Sequence, residues 1–164
     1  MGQRLRRQNT RRASGFTLIE AVIGIALVAI AVLGLAQMFT LSVMNNFRSD
    51  RITTASFLAQ QRVDVLRTLT AGELEDFRSS GYIDLNNDGR PDFLKDELID
   101  LNGDGTNDFR RLTRVRVFAE FTGTAWEVDV LIFSAEQFNK NESALWQDPQ
   151  RHRVRARVST IISR

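Results

Sequence analysis

From Ala21 to Met44 the chain reads AVIGIALVAIAVLGLAQMFTLSVM, 24 residues without a charge. As a helix this is long enough to cross the roughly 30 Å hydrocarbon core of a bilayer. Five arginines precede it, Arg4, Arg6, Arg7, Arg11 and Arg12. Clustered positive charge stays on the cytoplasmic side, so the expected topology is a single pass with the N-terminus in the cytoplasm. The same arginines account for the chain's basic balance. The formal net charge is +2, and removing the +5 of residues 1–15 leaves −3 for the rest. The body is therefore not a basic nucleic-acid-binding domain, and no nucleic acid is expected as a partner. A secretory signal peptide fits poorly, because its apolar region is about 7 to 15 residues long and ends in a small-residue cleavage site. The absence of cysteine excludes a disulfide scaffold, a thiolate metal site and a lipid-modified N-terminal cysteine.

Glu20 does not suit a plain anchor. A carboxylate within a membrane segment costs up to about 2.5–3.5 kcal/mol by insertion scales, so Glu20, inside the apolar edge, calls for a partner. Cleavage between Gly15 and Phe16 creates an α-amino group four residues away, a spacing that places both on one helix face. The run Arg11-Arg12-Ala13-Ser14-Gly15 followed by Phe16-Thr17-Leu18-Ile19-Glu20 resembles the cleavage and methylation motif of type IV pilins and type II secretion pseudopilins. That resemblance implies cleavage after Gly15 by a prepilin peptidase and N-methylation of Phe16. It implies that Glu20 guides assembly by neutralising a neighbour's N-terminus. The implied partners are the peptidase, other pilins or pseudopilins through the N-terminal helix, and the bacterial inner membrane before assembly. The implied destination is an extracytoplasmic filament or the cell surface. No helix-bending proline occurs in the segment, where Gly24 and Gly34 are the only weak points. This favours a minor component over a main structural subunit.

Beyond the apolar run, Ile52, Ala55, Ala59, Val63, Leu66 and Leu69 recur at three- and four-residue steps, with Arg48, Asp50, Arg51, Gln60, Gln61, Asp64 and Arg67 on the other faces. This predicts an amphipathic helix stopping near Gly72. Either it continues from Phe16 to about Thr70, roughly 80 Å, or it breaks at Asn45-Asn46. In the C-terminal third, strands are expected over Leu112–Phe121, Ala125–Phe133 and Val154–Ile162. The first would group Val115, Val117, Ala119 and Phe121, and the second Trp126, Val128, Val130 and Ile132. A turn is expected at Thr122-Gly123-Thr124 and a polar loop over 134–152. The expected class is α+β, a long N-terminal helix packed on a small antiparallel sheet, which is also what the pilin resemblance implies. The expected segments are a leader (1–15), a transmembrane and assembly helix (16–44), its amphipathic continuation (45–71), a loop region (72–111) and the sheet (112–164).

The loop region holds an internal repeat. Ile83–Phe93 reads IDLNNDGRPDF and Ile99–Phe109 reads IDLNGDGTNDF, both containing DxNxDGxxD. Oxygen ligands at alternate positions converge on a hard cation, and glycine at the sixth permits the sharp turn. Two calcium sites are expected. Asp84, Asn86, Asp88 and Asp92 form one with the Arg90 carbonyl, and Asp100, Asn102, Asp104 and Asp108 form the other with the Thr106 carbonyl. These loops resemble those of EF-hand and thrombospondin type 3 proteins over about nine residues each. They depart at position twelve, where Lys95 and Arg111 stand in place of a bidentate glutamate, leaving Asp96 or Glu97 to complete the first shell. The plainer alternative is a pair of Asp/Asn/Gly turns without metal.

These features point to a structural subunit, a minor type IV pilin. The alternatives are a type II secretion pseudopilin or a membrane-anchored, calcium-dependent adhesin. An enzyme is not expected. His152, the single histidine, lies among Gln150, Arg151 and Arg153, and there is no nucleophile elbow or phosphate-binding glycine loop.

Overall fold

The computed structural model describes residues 15–118 and 125–164. The arginine-rich leader, Ala119, Phe121 and the expected turn at 122–124 lie outside them. The chain divides between Asn45 and Asn46 into two compact units. Helix α1 covers Leu18–Thr68 as one element, without a break at Asn45-Asn46.

In the N-terminal unit the apolar side chains of α1 are bare. Leu18, Ile25, Leu35 and Phe39 are all more than two-thirds exposed. Among the described residues α1 is the helix long and apolar enough to span a membrane, and its apolar window is wholly unburied.

The second unit is α+β. Its part of α1 buries Ala55, Leu58, Ala59, Arg62, Val63 and Leu66, the three- and four-residue spacing of a single helix face. Ile52, expected on that face, is exposed, and an arginine belongs to it instead. The helix ends before Gly72, because Thr70 starts a new one. Helix α2 (Ala71–Ser80) opens with a capping box: the Thr70 hydroxyl accepts from the Glu73 amide, and the Glu73 carboxylate accepts from the Thr70 amide at 2.7 Å. Part of the expected loop region is thus helical, with Leu74 and Phe77 buried. Thr70→Ala is expected to cost about 1 kcal/mol, read as a fall in the urea midpoint at unchanged slope.

A two-stranded ribbon, β1 (Tyr82–Ile83) with β2 (Phe93–Leu94), precedes the main sheet of β3 (Asp96–Ile99), β4 (Phe109–Val117), β5 (Ala125–Ser134) and β6 (Ala156–Ser163). The order is β3-β4-β5-β6, antiparallel throughout, with Val115 opposite Val128 and Val130 opposite Val158. One face presents Trp126, Val128, Val130 and Ile132 to the α1 stripe, making the main core. Val117 lies off that core and is exposed.

The other face is not uniformly solvated. Leu112, Leu131 and Phe133 are covered by Leu145 of helix α3 (Glu142–Gln147), with Trp146 and Val154 alongside. A stretch expected to be polar loop is therefore a lid, and β5 is buried on both sides. Val154 belongs to this cluster and precedes β6, which begins at Ala156. Farther along the same face Asp129 is fully buried, receiving Arg114, Arg116 and the Ser159 hydroxyl. Burial raises its carboxyl pKa, but these donors outweigh that and hold it below the ordinary range.

The methylation motif and the paired acidic loops

The two repeats fold as copies of one another. Loop A (84–92) is closed by the pairing of Ile83 with Phe93, and loop B (100–108) by that of Ile99 with Phe109. In each, the ninth residue donates its amide to the isoleucine carbonyl, Asp92 to Ile83 and Asp108 to Ile99, both at 2.8 Å. The ninth carboxylate accepts from the second amide, Asp92 from Leu85 at 2.7 Å and Asp108 from Leu101 at 3.1 Å. The first carboxylate accepts from the sixth amide, Asp84 from Gly89 at 2.8 Å and Asp100 from Gly105 at 2.9 Å. Asn86 and Asn102 accept from the amides of Asp88 and Asp104 at 3.0 and 3.1 Å. Asp88 and Asp104 in turn accept from the amides of Arg90 and Thr106 at 2.8 and 2.7 Å.

This agreement follows from the backbone. The fourth and sixth positions are left-handed in both loops, Asn87 and Gly89 at φ +57° and +83°, Gly103 and Gly105 at +71° and +84°. Gly105→Ala has free space for its methyl group but the wrong backbone sign. It is expected to cost about 1–2 kcal/mol, against a few tenths for an exposed substitution such as Thr106→Ser, checked by thermal melting.

The acidic side chains mostly face their own loop amides. The Asp104 carboxyl is held below its ordinary pKa, first by the Thr106 hydroxyl and then by the Thr106 amide. Among the described residues no group of three or more acidic or histidine side chains is drawn together closely enough to hold a metal ion. The donor set nevertheless suits a hard cation. It is all oxygen, and a carboxylate oxygen with one amide donor keeps a lone pair free. The acid that shares a cleft with loop B, about 330 Å³ in volume, is Asp50 of α1.

Asp96 and Glu97 do not turn to the loops. Asp96 accepts from Arg110 through both oxygens at 2.8 and 2.6 Å, and the Arg110 guanidinium also donates to the carbonyls of Gln137, Phe138 and Lys140. Glu97 pairs with both Arg62 and Arg111. The position-twelve residues that replace the EF-hand glutamate are fasteners. Lys95 donates to the Arg78 carbonyl at the end of α2, and Arg111 to Glu97 and the Leu58 carbonyl of α1. Arg62 stacks its guanidinium 4.6 Å from the ring centroid of Phe93, the residue that closes loop A. The cue to Arg62 was its spacing, four residues after Leu58 and four before Leu66.

At the N-terminus, Gly15, Phe16 and Thr17 lie ahead of α1, so Phe16 is not on the helix face that carries Glu20. Thr17 opens the helix: its carbonyl accepts from the Glu20 and Ala21 amides and its hydroxyl from Glu20 at 3.3 Å. Phe16 is 82% exposed, and Glu20 sits exposed in the first turn, where a negative charge meets the positive end of the helix dipole. Residues 10–36 match the family model of the prokaryotic N-terminal methylation motif. The chain carries a prepilin-type methylation motif. The match covers Arg11, Arg12, Gly15, Phe16, Glu20 and the first two-thirds of the apolar run. It supports a type IV pilin-like protein, a kind that is generally structural. The motif implies processing by a prepilin peptidase and assembly with pilins, and with its apolar helix it is the pattern of an inner-membrane-anchored protein. No curated protein and no solved structure matches the chain. His152 lies in the turn before β6, its amide donating to the Asp148 carbonyl.

Proposed function

We propose that this chain is a minor type IV pilin, cut after Gly15, N-methylated on Phe16 and built through α1 into an extracytoplasmic filament. The observation that carries this reading is the methylation motif running directly into a helix whose apolar side chains are bare. Water does not tolerate such a surface. A bilayer, and then the helices of neighbouring subunits, would cover it. Glu20 then supplies the negative charge that a neighbour's new α-amine needs in an apolar setting.

Calcium belongs to the same proposal. Asp84, Asn86, Asp88 and Asp92, with the Arg90 carbonyl, would hold one ion in loop A. Asp100, Asn102, Asp104 and Asp108, with the Thr106 carbonyl, would hold another in loop B. A bound ion supplies positive charge that offsets the repulsion among these carboxylates and staples a region without disulfides. The matching conformations of the two loops and their all-oxygen donors support this.

Mass spectrometry of the N-terminal peptide, from sheared filaments and from membranes in parallel, tests the assembly reading. A chain beginning at N-methylated Phe16 in the filament fraction is the expected result. Processed chain confined to membranes points instead to a secretion pseudopilin. A chain that retains its leader in both fractions refutes the proposal.

A further inference from the structure

Asn102 is the one asparagine in the chain that a glycine follows. The pairing sets an electrophile, the side-chain amide carbon, beside a backbone nitrogen whose own residue has no Cβ to shield it. Both residues are exposed, and no neighbouring atom lies within 4 Å of where a Cβ on Gly103 would stand, so water reaches the pair. Asn102 Oδ1 accepts from the Asp104 amide at 3.1 Å. The ring closed by this bond contains the Gly103 nitrogen, and the bond polarises the carbon that this nitrogen would attack. Two further bonds oppose attack. The Gly103 N–H is taken by Asp100 Oδ1 at 2.8 Å, and Asn102 Nδ2 donates to Asp104 Oδ2 at 2.9 Å. A nitrogen attacks only as its proton leaves, and a carboxylate holding that proton opposes the loss. Asp100 also accepts from the amides of Asn102 and Gly105, so one side chain pins this part of the loop. Loop A has the same frame, but there Asn87 follows Asn86 and its side chain screens the nitrogen. Asp88 and Asp104 also precede glycine, but an ionised carboxylate resists a nucleophile.

We propose that Asn102-Gly103 is a self-modification site, a latent deamidation that folded loop B holds off and that opening of the loop releases. In the opened loop the Gly103 nitrogen bonds to the Asn102 side-chain carbon, and its proton passes through water to the departing nitrogen. The bond from that carbon to Nδ2 breaks and ammonia leaves, closing a succinimide ring. Water then opens the ring. Addition at the side-chain carbonyl gives aspartate, and addition at the main-chain carbonyl gives isoaspartate, with the backbone rerouted through the side chain. Water is the only co-reactant. Either product adds a negative charge to a loop that already holds Asp100, Asp104 and Asp108 and no basic residue. Isoaspartate also inserts a methylene ahead of Gly103, which moves the Gly103 and Gly105 amides out of register with Asp100. Loop B thereby records how long it has stood open, and its twin does not. The inference rests on neither the filament nor the calcium reading.

Peptide mass spectrometry of the full-length chain, incubated in detergent at neutral pH, reads the conversion at each asparagine. A reaction that needs an opened state tracks the open fraction. Wild-type Asn102 should therefore convert about tenfold or more slowly in the folded chain than in chain unfolded by guanidinium. Asp100→Ala removes three hydrogen bonds to loop amides and is expected to speed conversion in the folded chain about tenfold or more. Asp100→Ala combined with Gly103→Ala should stay slow, although both changes loosen the loop. Asp84→Ala loosens loop A in the same way and should leave Asn86 unconverted over the same period. Equal wild-type rates in folded and unfolded chain overturn protection by the fold. An Asp100→Ala chain no faster than wild type overturns the part given to Asp100. Rapid conversion with alanine at 103 overturns Gly103 as nucleophile, and Asn86 converting as fast as Asn102 overturns the assignment to the Asn102-Gly103 pair.

Discussion

Glu97→Gln is expected to destabilise the second unit by about 3–5 kcal/mol, the cost of removing one partner from a buried ion pair. Glu97 is the shared carboxylate of Arg62 and Arg111, which are 1% and 9% exposed. With it gone, two guanidinium groups face each other in the core of α1, β3 and β4. Burial pulls the Arg62 pKa down to about 10, and the nearby Arg111 charge pulls in the same direction, while Glu97 opposes both. The cluster already carries one positive charge more than it can pair. Arg62→Met should therefore be nearly neutral: it leaves Glu97 paired one-to-one with Arg111, and an apolar side chain of similar length can still pack on Phe93. Urea unfolding of the full chain in detergent checks both. Equal losses for the two variants would refute an account based on charge rather than packing.

Calcium is expected to raise stability by an amount of similar size. Loops of this type in extracellular modules bind with Kd of roughly 10⁻⁴–10⁻³ M. At free calcium 100-fold above Kd each site adds about 2.7 kcal/mol, so two independent sites add about 5 kcal/mol. The stabilisation has an electrostatic origin, since six aspartates crowd two nine-residue loops with Arg90 as their only basic residue. Asp88→Ala with Asp104→Ala removes the fifth-position carboxylate from each loop and should abolish most of the calcium-dependent rise in melting temperature, leaving melting without calcium little changed. A wild-type chain that melts at one temperature with and without calcium would exclude both sites. A double variant that keeps the full shift would place the ion elsewhere.

The sequence was most informative where structure is written locally. The apolar run, the glutamate five residues after Gly15, and the three- and four-residue stripe are patterns within a few turns of one helix. The DxNxDGxxD repeats dictate their own turns, because each side-chain oxygen reaches an amide between two and seven residues away. The periodicity of β5 was legible for the same reason. Where the environment of a side chain comes from distant sequence, the pattern was silent. Asp96 and Glu97 read as spare ligands because they follow a metal-like loop. Their partners are Arg110 and Arg111, fourteen residues on, and Arg62, thirty-five residues back.

The sheet shows the same division. Alternation grouped the apolar residues of one face of the strands, and only the folded chain placed α3 over Leu112, Leu131 and Phe133 on the other, turning a polar-looking connection into a second core. At the far end Arg164 donates to the carbonyls of Arg67 and Leu69, capping α1 from ninety-seven and ninety-five residues away. By itself, then, the sequence determined α1, the three long strands β4 to β6, the methylation motif and the paired loops, each legible in a local pattern, whereas α2, α3 and the short strands β1 to β3 lay in segments that read as loop. Only the tertiary structure decided which charges are buried and which carboxylates are already taken, since a buried charge must find its partner wherever the chain brings one.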